Sequence, residues 1–153
     1  MSVYNGALAT TLSVVGTRVD RDTATLPQTT ASAIFSITGG RVLITQIIGE
    51  VTTVIQTQAN NTKLVANPTT GTSADMCAVL NISADEVGTL YGLTGLNSDA
   101  MLGVNAGLVP GQVRAQVLNV GSIDLNCAAS NTGAIKWTVF YTPIDDGAAI
   151  SAA

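Results

Sequence analysis

The sequence predicts an all-β fold, a β-sandwich or jelly-roll-like barrel of about eight to ten short antiparallel strands with extended termini. Three observations carry this. First, Val, Ile and Thr dominate, and Thr alone fills 21 of the 153 positions. All three residue types are branched at Cβ and stiff at χ1, which suits a pleated strand better than a helix. Second, the apolar runs are short and bounded by Gly, Asn, Pro or Ser. Third, no repeat with a period of about 20 to 50 residues is visible that would indicate a solenoid.

The elements follow in order. Ser13 to Val19 and Ala33 to Ile37 read as strands, and Gly39-Gly40 as a tight hairpin turn, since both glycines can take positive φ. Arg41 to Gln58 is the strongest segment. Its early part alternates, and the break near Ile48-Gly49 suggests a bulge or bend. Residues 47, 48, 51, 54 and 55 also fit a helical period, but Val51, Thr52, Thr53, Val54 and Ile55 are poor helix formers, so strand is favoured. Asn60-Asn61 is a turn and Lys63 to Ala66 a short strand. Asn67 to Gly71 is a loop, and Met76 to Ile82 a strand. Ser83-Ala84-Asp85-Glu86 has the spacing of a helix capping box, but Gly88 and Gly92 follow, and a turn between strands is favoured. Thr89 to Thr94 and Met101 to Val104 are weaker strands. Leu108 to Gly111 is a turn, and Val113 to Val120 alternates as a good strand. Ser122 to Ala128 and Ala134 to Thr142 are strands, separated by a turn at Ser130 to Gly133. Pro143 ends the last one.

No linker divides the chain. The expected organisation is an N-terminal arm over residues 1–12, one β-sandwich domain over 13–143, and a small-residue tail over 144–153. Ends of this kind fray unless tied down, and a neighbouring subunit is the expected holder.

Composition narrows the function. Charged residues are 10% of the chain, against about 25% in ordinary globular proteins. Apolar residues are 46%, and the mean hydropathy is +0.40. That argues against disorder, which needs low hydrophobicity and high charge. A net charge of −4 argues against nucleic acid as a partner, because phosphate contacts need Lys and Arg. No continuous apolar window of about 20 residues exists to span a membrane as a helix. The first twenty residues lack the basic stretch of a signal peptide. A membrane β-barrel would want two aromatic girdles, and six aromatics are too few. A chain this poor in charge can instead bury its outside against other subunits.

The search for chemistry is mostly negative. There is no His in the chain, so no Ser-His-Asp or Cys-His arrangement can form within it. Cys77 and Cys127 read as buried apolar cysteines, with a cross-sheet disulfide as the sharper alternative. Asp85, Glu86, Asp99, Asp124, Asp145 and Asp146 are the candidates for a glycosidase-type carboxylate pair, and they read better as solvated loop charges. Asp20-Arg21-Asp22 resembles half a calcium loop, but a local ion pair with Arg18 and Arg21 is the better reading. The sequons at Asn60 and Asn81 are expected by chance in an Asn- and Thr-rich chain. Trp137 and Val139 share one face of the last strand, opposite Lys136 and Thr138. They read as core, with a ligand-stacking platform at Trp137 as the alternative. No residue is assigned as catalytic, cofactor-binding or metal-ligating.

Two stretches carry a resemblance: Ser36-Ile37-Thr38-Gly39-Gly40-Arg41-Val42-Leu43-Ile44-Thr45, and Ile123 to Gly133 followed by Lys136 to Pro143. They resemble segments of small structural proteins from tailed bacteriophages, over about Leu26 to Ile144. The resemblance implies a virion protein of the capsid decoration, or cement, type. It implies no catalytic residue and no cofactor. The implied partners are the major capsid protein and further copies of the chain, a trimer being favoured over a dimer. The implied location is the capsid surface, after assembly in the host bacterial cytoplasm. A tail or fibre component and a secreted carbohydrate-binding module are the alternatives.

Overall fold

Two antiparallel sheets lie face to face around one apolar core, in a computed structural model that describes residues 16–153. The expected arm over residues 1–12 and the first part of the Ser13 to Val19 strand lie outside the described residues. The strands are β1 (Thr17–Thr25), β2 (Ala31–Thr38), β3 (Val42–Thr53), β4 (Asn61–Pro68), β5 (Ala74–Asp75) and β6 (Leu80–Asn81). They continue with β7 (Leu90–Gly92), β8 (Leu102–Val104), β9 (Gln116–Leu118), β10 (Gly121–Cys127), β11 (Ala134–Pro143) and β12 (Ala149–Ala152). One sheet has the order β1-β11-β3-β7-β8, with β9 also paired to β3. The other has the order β12-β2-β10-β4-β5, with β6 also paired to β4. The sandwich architecture matches the sequence expectation.

The core follows from period-two burial along the long strands. Ile44, Ile47, Trp137, Val139 and Tyr141 from one sheet meet Phe35, Ile37, Leu64, Ile123 and Leu125 from the other within a single buried cluster. Trp137, Gly49 and Tyr91 occupy one cross-strand row. The two rings lie 6.3 Å apart between centroids. A Cβ on Gly49 would come within 2.7 Å of the Trp137 ring. The glycine read as a sign of a bulge is therefore the space that the indole fills, and the ladder runs unbroken through Ile48 and Gly49.

The bulges of β3 fall elsewhere. Its register with β11 shifts at Thr45 and again at Thr52. Each of these threonines turns its hydroxyl onto the facing strand. Thr45 Oγ1 donates to the Phe140 carbonyl at 3.1 Å, and Thr52 Oγ1 donates to the Ala134 carbonyl at 3.2 Å. Threonine thus repairs the ladder that its own bulge interrupts.

Three further expectations are corrected. Gly39-Gly40 does not close a hairpin. Strands β2 and β3 belong to different sheets, so the two glycines, with φ of 79° and 152°, carry the chain around the edge of the sandwich. A Cβ on Gly39 would sit 2.1 Å from the Gly147 carbonyl oxygen, which forbids other residues there. The strand expected over Met76 to Ile82 is broken, with β5 before it, β6 inside it and a lone bridge from Ala78 to Ala100. The tail expected over residues 144–153 is part of the body. Its strand β12 pairs with β2, Ile150 enters the core, and Ala153 N donates to the Ile34 carbonyl. Small residues fit there because the strand lies close beside β1. Arg21 Nε of β1 donates to the Ala153 carbonyl at 3.2 Å. The segment Ser83 to Glu86 is a turn, with Ala84 at φ 61°, as the sequence favoured.

Candidate functional site

Four of the carboxylates singled out as possible chemistry, Asp85, Asp99, Asp124 and Asp145, are each engaged by different partners. Asp85 accepts the Tyr91 hydroxyl, and Asp99 accepts that of Thr94 at 2.8 Å. Asp145 accepts the Arg41 guanidinium at 2.8 and 2.9 Å and the Arg41 amide at 2.8 Å. Those bonds hold its carboxyl well below the usual carboxylate range. Glu86 and Asp146 are exposed. Asp124 corrects the expectation of a solvated loop charge. It lies in β10, buried, and accepts Ser122 Oγ at 2.6 Å and Asn67 Nδ2 at 3.0 Å. Among the described residues no three His, Cys, Asp or Glu side chains come together as a metal site.

Cys77 and Cys127 are both buried and both free, so the disulfide alternative is not what the structure contains. Burial pushes both thiols up from their ordinary values. Cys77 Sγ accepts the Leu64 amide at 3.4 Å, and Cys127 Sγ accepts Thr62 Oγ1 at 3.7 Å. Trp137 is 1% exposed, which removes it as a stacking platform. Asn60 of the first sequon is fully buried. Its amide exchanges hydrogen bonds with the backbone of Ala129 in both directions, at 3.2 and 3.1 Å.

Charge gathers along β1. Arg18 pairs with Asp20 at 2.5 Å, as expected, and Thr138 Oγ1 also donates to Asp20 at 2.7 Å. The Arg18 hydrogen bond, followed by that of Thr138, lowers the Asp20 pKa. Arg21 turns to the Ala153 backbone oxygen instead of to an Asp or Glu side chain. Lys136 pairs with Glu50 at 3.1 Å. These side chains border a groove of about 640 Å³ whose Arg18, Asp20 and Lys136 charges are matched within the chain.

The opposite flank has the reverse character. Between Leu96 and Val120 only Asp99 and Arg114 are charged. Six large apolar side chains of this stretch stand in solvent: Leu96, Val104, Leu108, Val113, Val117 and Val120. Val113 is 81% exposed, Leu108 70% and Val117 58%. The backbone beneath them is anchored. Gln112 N donates to Gln46 Oε1 at 2.5 Å, and Gln112 Nε2 donates to the Ile44 and Arg114 carbonyls. Val113 N and Arg114 N both donate to the Thr94 carbonyl at 3.0 Å. Val109 packs over Gly92, where a Cβ would meet it at 3.0 Å. The apolar surface is thus held in place by polar bonds beneath it.

Comparison with known protein families, with characterised proteins and with solved structures finds no match.

Sequence reading missed this flank because alternation does not say which face is inside. Val113, Ala115 and Val117 alternate with Gln112, Arg114 and Gln116. The expected strand over Val113 to Val120 shrinks to β9, and its valines point out while its glutamines make the bonds. The available signal was the scarcity of charge around those valines.

Proposed function

We propose that this chain is a non-enzymatic structural protein of a tailed-phage virion, one that coats the capsid lattice and bridges neighbouring subunits. Its partners in this reading are the major capsid protein and further copies of itself, a trimer being favoured, on the capsid surface. The observation that carries the reading is the anchored, nearly uncharged flank from Leu96 to Val120 with its exposed valines and leucines. Apolar side chains clustered on a folded surface mark a place where another protein sits. Low charge keeps the desolvation cost of covering that surface small. The likeness of the Ser36 to Thr45 and Ile123 to Pro143 segments to phage structural proteins supplies the identity of the partner.

The test uses purified capsids stripped of accessory proteins. The full chain is added, and occupancy and heat resistance of the particles are measured. Occupancy should saturate, and the particles should survive higher temperature. Substituting Leu108→Lys and Val113→Lys together should lower occupancy at least tenfold without unfolding the chain. Absence of adsorption, or assembly into rings or tubes on tail structures, would overturn the capsid reading.

A further inference from the structure

One concavity of the apolar flank is built differently from the rest of the surface. It runs between β9, at the margin of one sheet, and β5, at the margin of the other. Two adjoining hollows of about 190 and 330 Å³ share Ala66, Ala74, Val117 and Leu118 as lining. Strand β9 pairs only with β3, and β5 only with β4, so among the described strands each leaves one edge unpaired. Gln116 closes one end by donating through Nε2 to the carbonyls of Met76, at 3.0 Å, and Gly95, at 3.3 Å. Its Oε1 is buried without a hydrogen-bond partner. The charged residue in the lining, Asp75, is already paired with Lys63 at 2.8 Å.

A cleft with free strand edges and uncharged walls suits an extended, uncharged backbone. Such a segment supplies amides and carbonyls to the edges and alternate side chains to the walls. The chain itself contains one. From Leu8 to Val15 no residue is charged; Leu8, Leu12 and Val14 fall on one parity, and Ala9, Thr11 and Ser13 on the other. This segment joins the sandwich at Gly16. The row Thr17, Tyr141, Ile44, Gln116 leads from there directly across the sheet to β9. Three strand spacings, about 14 Å, separate the two. Residues 8–15 end directly at Gly16, so no linker remains to bridge that gap within one molecule, whereas a neighbouring copy can bring its groove to Gly16.

We propose that residues 8–15 of a second copy enter the groove between β9 and β5 and pair as an added strand. This deepens the proposed contact-making role and rests on it. A second copy is the fitting source because the groove is one part of a wider apolar flank. A strand from the same molecule would fill the groove and leave Leu108 and Val113 bare. A strand delivered by a neighbour brings that neighbour's surface against them. The contact is head-to-tail, arm to groove, and gives a ring where its rotation closes, as the favoured trimer requires.

Two substitutions in the full chain test this without capsids. Val117→Lys places a charge in the groove, and Leu12→Asp places one in the arm. Sedimentation should show the unaltered chain as a closed oligomer and each variant as a monomer. Mixing the variants should restore one arm-to-groove contact, from the Val117→Lys arm into the Leu12→Asp groove, and give a 1:1 heterodimer that grows no further. Leu96→Lys serves as a second groove variant if Val117→Lys fails to fold. A monomeric unaltered chain at about 100 μM, variants that assemble like the unaltered chain, or a mixture that stays monomeric would each overturn the proposal. Capsid adsorption is read separately. Its loss with self-association intact strikes the capsid reading alone.

Discussion

The long-stranded frame and the irregular flank of this sandwich solve opposite problems. In the frame, the successive strands β1, β2, β3 and β4, and later β9, β10, β11 and β12, change sheet at every connection. Each crossing brings sequence neighbours to opposite sides of the core, so the frame is tied together through its interior. In the flank, the steps β4 to β5, β5 to β6, β7 to β8 and β8 to β9 stay within one sheet, and the five strands β5 to β9 have only two or three residues each. Its stability comes from side chain to backbone bonds such as those of Gln112 and Gln116. The frame hides most of its apolar residues, while the flank buries some, such as Tyr91 and Leu93, and leaves Leu108, Val113 and Val117 in solvent. The long strands and the exposed apolar side chains thus fall largely in different parts of one small domain.

The sharpest way to break this division is to strike the frame at its centre. Trp137→Ala removes the largest fully buried side chain, which packs directly over Gly49. The expected loss is about 3–5 kcal/mol, read as a shifted denaturant midpoint. If the loss were under about 1 kcal/mol, the core would not centre on that row.

Asn60→Ala is the next strongest test. Asn60 is fully buried and joins the start of β4 to the end of β10 through the Ala129 backbone. Truncation leaves the Ala129 amide and carbonyl without this partner, at a cost of about 1–3 kcal/mol. Asn60→Asp should cost as much, because it replaces the amide donor with a charge.

Acid probes the rim where the frame closes. Arg41 and Asp145 join the start of β3 to the segment that leads into β12. Their pairing lowers the folded pKa of Asp145 below its unfolded value. The contribution is therefore present above the ordinary carboxylate pKa of about 3.9 and is lost as pH falls below it. Stability followed between pH 7 and 2 should fall in that acid window, and Asp145→Asn should flatten part of the change.

How much of this was legible depends on which part is considered. The frame could be read because its strands bury alternate apolar residues, as in Val42 and Ile44 or in Ile135, Trp137 and Val139. Its sheet assignment could not. Gly39-Gly40 signals a sharp turn whether the next strand pairs with the last one or crosses the sandwich, and only the packing decides. The purpose of Gly49 depended on a ring nearly ninety positions away. Strand β12 looked like a tail because Ala and Ser carry little strand signal, and its place is set by the edge of β2. The flank was least legible. The pattern of Val113 to Val117 is that of a half-buried strand, but the inward side is that of Gln116 and the buried Leu118.

The smallest expected effect on folding is the one that best sharpens the comparison. Leu108→Ser and Val113→Ser remove apolar atoms that already face water in the folded chain. Their transfer to solvent costs nothing on folding, so each should change the unfolding free energy by no more than about 0.5 kcal/mol. Under the proposed contact role, the same changes should weaken association with capsids, because the side chains would leave water there. A pair of substitutions that spares folding and impairs contact would separate the two duties physically. A fall in stability comparable to that of Asn60→Ala would mean that these residues belong to the frame's interior economy, and the flank would lose its claim to be a surface made for another protein.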